Sequence, residues 1–384
     1  MRTIAVISGS RADAGLLMGL MNTIREHPLL DLQLFVTGMH LSERHGFSYR
    51  ELEKNGFSIT AKVTTSLTDN SPQGNARALA EGIIGFTEVL HKFQPDIMLL
   101  LGDRFEILAA AETAMMLQIP LAHLHGGELT LGAIDDAIRH SISKMAQLHF
   151  TATDRYRQRL IQMGEQPERV YNTGATAVDN ILTIPLLNKQ QLEQELKISL
   201  IDKLFLITWH PETINADILS GLIELCAALK EFPEHQVIFT KANADSGGEQ
   251  INQALQHYVQ QNSNYSLFSS LGIQNYLSLV KIAALVLGNS SSALLEVPVL
   301  KKASVNIGHR QDGRYKPESV IDCASNRKHI VQAILSACSS EHKKRCQNME
   351  LPYGDGHSCA KITRILAEVD LSNIMYKPFY DIIF

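Results

Sequence analysis

Short, continuously apolar runs alternate with longer stretches of helical periodicity along almost the whole chain. In the first half the runs fall at residues 3–8, 32–38, 96–102, 120–125, 148–153 and 169–174, with helical patterns such as GLLMGLMNTIREH and FEILAAAETAMMLQ between them. The second half repeats the arrangement at 204–210, 235–241, 265–270, 284–290, 303–308 and 319–324. Apolar runs without polar alternation, separated by helices, predict parallel sheets covered on both faces. The expected fold class is therefore α/β, with two doubly wound, Rossmann-like domains facing each other across a cleft. A polar Gln- and Lys-rich stretch, NKQQLEQELK, follows the first set of runs. The expected division is an N-terminal domain over 1–175, a second domain over 176–360 and a C-terminal helix or tail over 361–384.

Composition narrows the functional classes. The chain has 384 residues, 45% of them hydrophobic and 20% charged, with a net charge of −5. That balance favours neither nucleic acid nor a membrane surface as partner. No run approaches the roughly 18 apolar residues of a membrane span, and MRTIAVISGSRAD lacks the pattern of a signal peptide, so a cytoplasmic location is expected. The five cysteines include no C-x-x-C pair and are expected as free thiols.

In doubly wound sheets, ligands bind beyond the carboxyl ends of the strands. Polar residues gather there repeatedly: Arg11 and Asp13, His40, Asp103 with Arg104 and Glu106, then His210, Asn243 with Asp245, Ser290 with Ser291, and Arg310. GNSSSALLEVP puts serines in the first turn after a strand, where unpaired N–H groups and the helix dipole favour a phosphate. Ser290 or Ser291 as a simple N-cap is the alternative. With His210 and Arg310 ending neighbouring strands, a diphosphate is the better reading. There is neither G-x-x-x-x-G-K-[ST] nor a G-x-G-x-x-G after the first strand, which disfavours a P-loop NTPase and a dinucleotide dehydrogenase.

The stretch LAHLHGGELTLGAIDDAIRH collects the most ionisable groups. His123 and His125 are two apart, a spacing that suits a metal, but no further ligands are apparent and no metal is expected. Asp135 and Asp136 open a helix with Arg139 and His140 one turn on, which predicts Asp135–Arg139 and Asp136–His140 contacts. One aspartate suffices as cap, leaving the other for the ligand. Glu128 either ties down the Gly126-Gly127 turn or contacts ligand, and His40 either touches a sugar or holds a turn. Trp209 is expected in the core rather than stacked on a base, and Asp355 in PYGDG as a turn residue.

GSRAD, TGMH, LGDRFE, HLHGGE, DDAIRHSISKM, HPET, GNSSSALLEVP, NIGHRQ and PYGDG together, over about residues 1–365, resemble the hydrolysing UDP-N-acetylglucosamine 2-epimerases of bacterial sialic-acid biosynthesis. The resemblance implies a GT-B-like fold, a UDP-sugar substrate held mainly by the C-terminal domain, no cofactor or metal, and a homodimer or homotetramer. By position it makes Arg11, His210, Asn243, Ser290, Ser291, Glu296 and Arg310 ligands of the nucleotide, with Glu296 on the ribose. It makes Asp103 and Asp135 acid/base groups. Where the broader family carries a glutamate in H-I-E-G-G-E, this chain has His125, a third catalytic candidate as proton carrier or orienter; Glu128 and His40 are the remaining substrate-binding candidates.

The implied reaction fits the chemistry available. The C2–H of a pyranose is not acidic until the C1–O bond to UDP breaks, so stabilising the leaving diphosphate carries much of the load. Inversion at C2 then needs proton-handling groups on both faces of the ring. The expected products are N-acetylmannosamine and UDP, through a 2-acetamidoglycal. UDP-N,N′-diacetylbacillosamine is the alternative substrate, since the motifs read neither C4 nor C6. A GT-B glycosyltransferase, sharing the fold and the diphosphate end, is the alternative of another class.

Overall fold

The computed structural model describes residues 1–43, 46–66, 71–130, 134–211, 218–242 and 247–382. The chain groups into two compact units, 1–180 with 353–384, and 181–352. Among the described residues the first unit holds seven strands: β1 (Arg2–Ser8), β2 (Leu30–Thr37), β3 (Ile59–Val63), β4 (Ile97–Leu101), β5 (Leu121–Leu124), β6 (Leu148–Thr151) and β7 (Val170–Asn172). They are ordered β3-β2-β1-β4-β5-β6-β7 and all pairings are parallel. Helices cover both faces, so the central strands are buried on both sides, which is why they read as unbroken apolar runs.

The second unit repeats the plan with β8 (Leu204–Thr208), β9 (Gln236–Thr240), β10 (Tyr265–Phe268), β11 (Leu285–Gly288), β12 (Ser304–Ile307) and β13 (Val320–Cys323). Their order is β10-β9-β8-β11-β12-β13, again parallel throughout. All twelve expected strands are present. The thirteenth, β3, is an edge strand whose sequence ITAKV is mostly half-exposed and never forms an apolar run. Trp209 is 2% exposed in the core of this unit, against Gly221, as expected of a strand tryptophan. All five cysteines are free.

The last helix, Ser358–Glu368, follows the second unit in sequence but packs in the first. Ile362 and Leu366 join the same buried cluster as Ile4 and Leu34, and Thr23 Oγ1 lies 2.7 Å from Thr363 Oγ1. The buried Asp179 carboxylate accepts from the N–H of Ser358 at 3.0 Å and of Cys359 at 2.7 Å, satisfying two donors of that helix terminus. Asp355 is an exposed turn residue paired with Lys361 at 3.0 Å. Among the described residues, no helix is long and apolar enough to cross a membrane.

Candidate active site

In the first unit the ionisable residues gather at the carboxyl ends of β1, β2, β4 and β5. Ser10 caps the helix Arg11–Glu26 by accepting from Asp13 N at 3.2 Å, and Asp13 reaches back to Gly9 N at 3.2 Å. Burial raises the Asp13 pKa, with the Glu106 charge adding to it against Ser10, Arg104 and Gly9. Glu106 is itself buried and held by both arms of Arg104, at 3.1 and 3.2 Å. Arg104 is thus the partner of Glu106.

Asp103 is ion-paired with Arg139, from the helix Ile134–Met145, and the same arginine nitrogen donates to Thr130 Oγ1 at 3.0 Å. The expected Asp135–Arg139 bridge is replaced by this longer-range pair. The expected Asp136–His140 contact forms at 3.5 Å, and Asp136 also accepts from Thr130 N at 2.7 Å. Asp136 therefore anchors the loop, and Asp135 is the aspartate left over. Partial burial raises the Asp135 pKa, and the Asp103 and Glu106 charges push it further up against Arg104 and Arg139. Two neighbouring carboxylates thus differ in environment: Asp103 is bound to a guanidinium, while Asp135 leans towards its protonated form.

The histidines sort by burial. His123 is fully buried, with Nδ1 3.0 Å from Ser143 Oγ and Nε2 2.8 Å from Gly102 O. Desolvation pushes its pKa down to about 3. Both ring nitrogens are spent inside the fold, so the H-x-H spacing does not present a ligand pair. His40 is also fully buried, between Ser8 Oγ at 2.9 Å and Ser48 Oγ at 2.8 Å, and burial lowers its pKa to about 4. This favours a turn-holding role over sugar contact. His125 stands just past β5 with a φ of 61°, a left-handed conformation, and its Nδ1 lies 2.7 Å from Glu128 Oε1. Gly127 follows with φ 77°, where a Cβ would fall 2.4 Å from Tyr156 O. That turn therefore needs glycine. Arg11 is exposed and pairs with Glu51 through two bonds of 2.6 and 3.0 Å. Among the described residues, no group of three or more His, Cys, Asp or Glu gathers where it could hold a metal.

In the second unit a cavity of about 440 Å3 opens at the carboxyl ends of β8, β9, β10 and β11. His210, Ser290, Ser291 and Arg310 all line it, as do Lys241 and Tyr276. Gly288 makes this floor possible: its φ is 130°, and a Cβ there would sit 1.9 Å from Thr208 O. The buried Asn289 ties the lining together. Its side chain accepts from His210 N at 2.7 Å and donates to His210 O at 2.8 Å, and its carbonyl accepts from Arg310 at 3.2 Å and Gln311 at 2.8 Å. Ser290 accepts from Ser292 N at 3.4 Å and so caps a single 3-10 turn, Ser291–Ala293. The expected helix continues only as Glu296–Val299. Glu296 stands behind Ser292, and burial raises its pKa. Asn243 lies outside the described residues. Lys241, Tyr276 and Asn289 were not singled out from sequence. Lys241, at the end of an apolar run, carried a signal; Tyr276, inside a helical stretch, carried none.

Comparisons with known proteins identify the family. The family profile described as UDP-N-acetylglucosamine 2-epimerase matches residues 22–367. The chain is 41% identical over 384 residues to the GDP/UDP-N,N′-diacetylbacillosamine 2-epimerase (hydrolyzing) of Campylobacter jejuni, covering 99% of both chains. It is 36% identical to polysialic acid biosynthesis protein P7 of Escherichia coli, covering 100% of this chain and 98% of that one. Its fold is that of the UDP-GlcNAc 2-epimerase from Neisseria meningitidis bound to UDP-GlcNAc, with a TM-score of 0.77 at 20% identity over 96% of this chain and 100% of the other. With the profile matched over residues 22–367 and a near full-length relative at 41% identity, the chain belongs to the UDP-N-acetylglucosamine 2-epimerase family.

Proposed function

We propose that this protein is a hydrolysing 2-epimerase of a UDP-2-acetamido sugar, with the second-unit cavity holding UDP and the first-unit carboxylates moving protons. The observation that carries the reading is the Asp103/Asp135 pair, one carboxylate bound to a guanidinium and its neighbour pushed towards protonation, in a member of this family. In the proposed reaction the C1–O bond breaks and its electron pair leaves with UDP. Ser290, Ser291, His210 and Arg310, all in the cavity lining, are fixed donors for that diphosphate. A base takes the C2 proton, leaving a C1=C2 double bond. Water then adds its oxygen at C1, and a proton returns to the opposite face of C2. Asp103 and Asp135 are the essential pair, and His125, oriented by Glu128, carries or steers a proton. Arg11, Asn243 and Glu296 complete the nucleotide contacts, Glu296 through the ribose.

The 41% relative, named for the GDP- or UDP-linked sugar, favours N,N′-diacetylbacillosamine as the sugar, here carried on UDP. UDP-N-acetylglucosamine, giving N-acetylmannosamine, is the second reading, favoured by the UDP-N-acetylglucosamine 2-epimerase of Neisseria meningitidis, 31% identical over 88% of this chain. Proton NMR in deuterated water with each sugar nucleotide separates them. The expected result is stoichiometric release of UDP and a 2-epimer carrying deuterium at C2, faster with the diacetamido substrate. Products that retain protium at C2, or transfer to an added acceptor, would contradict the proposal.

A further inference from the structure

The segments that carry Asp103, His125 and Asp135 meet on one buried imidazole that the reaction above does not use. His123, inside β5, is fully buried, and so is Ser143 on the helix Ile134–Met145. The Gly102 carbonyl can only accept, so its 2.8 Å contact places a proton on His123 Nε2. Burial keeps the ring neutral, which leaves Nδ1 without a proton. Nδ1 therefore accepts from the Ser143 hydroxyl at 3.0 Å. Gly102, with a φ of 81°, is the residue before Asp103. Ser143 stands one turn beyond Arg139, which holds Asp103, on the helix that Asp135 opens. The contacts close into a ring: Asp103 to Arg139, one helical turn to Ser143, then His123, Gly102 and the peptide bond back to Asp103. Gly126, next to His125, lies against the same hydrogen bond. A Cβ there would fall 2.9 Å from Ser143 Oγ and 3.2 Å from His123 Nδ1.

We infer that His123 is a positioning residue for proton transfer: it braces the strand end carrying Asp103 against the helix carrying Asp135 and Arg139, beside the turn carrying His125. This rests on the reading of Asp103 and Asp135 as the acid/base pair. The ring itself moves no proton, since both nitrogens are engaged within the fold. A helix is stiff along its axis, so tying Ser143 fixes Arg139 and Asp135 on the same helix relative to Asp103. A misplacement of about 1 Å can cost a reacting group about a hundredfold in rate, so a small loosening of this ring is felt in turnover. Glycine at 126 leaves the Ser143 hydroxyl room to face the imidazole.

The test compares S143A, H123Q and the double variant of the full chain in steady-state UDP release, with UDP affinity from calorimetry and the native fraction from melting curves. S143A removes the hydroxyl and leaves the imidazole on Gly102. H123Q keeps an N–H for Gly102 and gives up the acceptor facing Ser143. Each is expected to lower kcat about tenfold, the scale of one buried hydrogen bond, with KM and UDP affinity within about twofold. The double variant should lose no more than either single one, because both break the same bond. G126A removes neither partner but crowds the bond with a methyl group, and it should show the same tenfold loss even if H123Q fails to fold. Unchanged kcat in S143A and G126A, a matching loss of UDP affinity, or losses that multiply in the double variant overturn the inference and leave the acid/base reading standing. Failure of the unaltered protein to release UDP from either sugar nucleotide overturns both.

Discussion

The carboxyl edge of the first sheet and that of the second are built from similar strands but opposite chemistry. The first is dense in ionisable groups that face one another: Asp103 on Arg139, Glu106 on Arg104, His125 on Glu128, with Asp135 left among them. The second is lined by hydroxyls and cations, with an asparagine lacing them together. A crowd of mutually repelling and compensating charges spreads pKa values apart, which suits proton transfer. A wall of donors held by neutral backbone bonds changes little when an anion arrives, which suits holding a diphosphate. The duplicated architecture thus supplies two platforms, and side-chain chemistry alone distinguishes the one suited to proton transfer from the one suited to holding an anion.

The sharpest way to break this contrast is Asp103→Asn. It is expected to lower kcat by about a thousandfold while leaving UDP affinity, measured by calorimetry, within about twofold. If affinity fell as far as turnover, the division of labour would be wrong. A second test uses a carboxylate of the first unit whose charges are closed on one another. Burial would raise Glu165, but His149 at 2.9 Å, Lys144 at 2.7 Å and Lys377 at 2.8 Å outweigh it and hold the carboxyl at about 2. A depressed pKa stabilises the fold above the unfolded value near 4.3, and the benefit is lost as pH falls through about 2. Glu165→Gln should therefore lower the melting temperature by about 10 °C at neutral pH, with the gap closing as the solution is taken from pH 5 towards 2.

Arg310→Ala probes the other platform. UDP binding is expected to weaken about thirtyfold, the equivalent of about 2 kcal/mol, and thermal stability should hardly move. Asp135 carries a smaller stability effect than Glu165, and of opposite sign. A raised carboxyl pKa contributes stability below the unfolded value, and that contribution disappears as pH rises through the folded one. Asp135→Asn should thus melt about 2 °C above the unaltered protein at neutral pH and level with it near pH 4, while turnover is lost. A lower melting temperature at neutral pH would mean that Asp135 is a structural ion-pair member like Glu165.

Much of the scaffold was legible because burial on both faces of a parallel strand demands a continuous apolar run. Among the described strands, β3, half-exposed at the sheet edge, escaped that rule. Which polar residues stand at strand ends was equally legible, and His210, Ser290, Ser291 and Arg310 do meet in one cavity. Pairings were harder. The i,i+4 rule assigned Arg139 to Asp135, yet in the fold it serves Asp103, 36 residues away. His40, His123 and His125 are the same residue type beside similar neighbours, and nothing local says that the first two are sealed against serines while the third sits in a strained turn.

The chain alone therefore determined the alternation of strand and helix, the strand ends where chemistry collects and the family to which those motifs point, because each of these rests on periodicity or on short contiguous residue patterns. Tertiary structure decided which carboxylate takes the guanidinium, which histidines stay neutral, that His123 reaches Ser143 and that the last helix returns to the first unit. Those outcomes depend on burial and on partners distant in sequence, and desolvation and Coulomb energies are set by three-dimensional neighbours that no local pattern encodes.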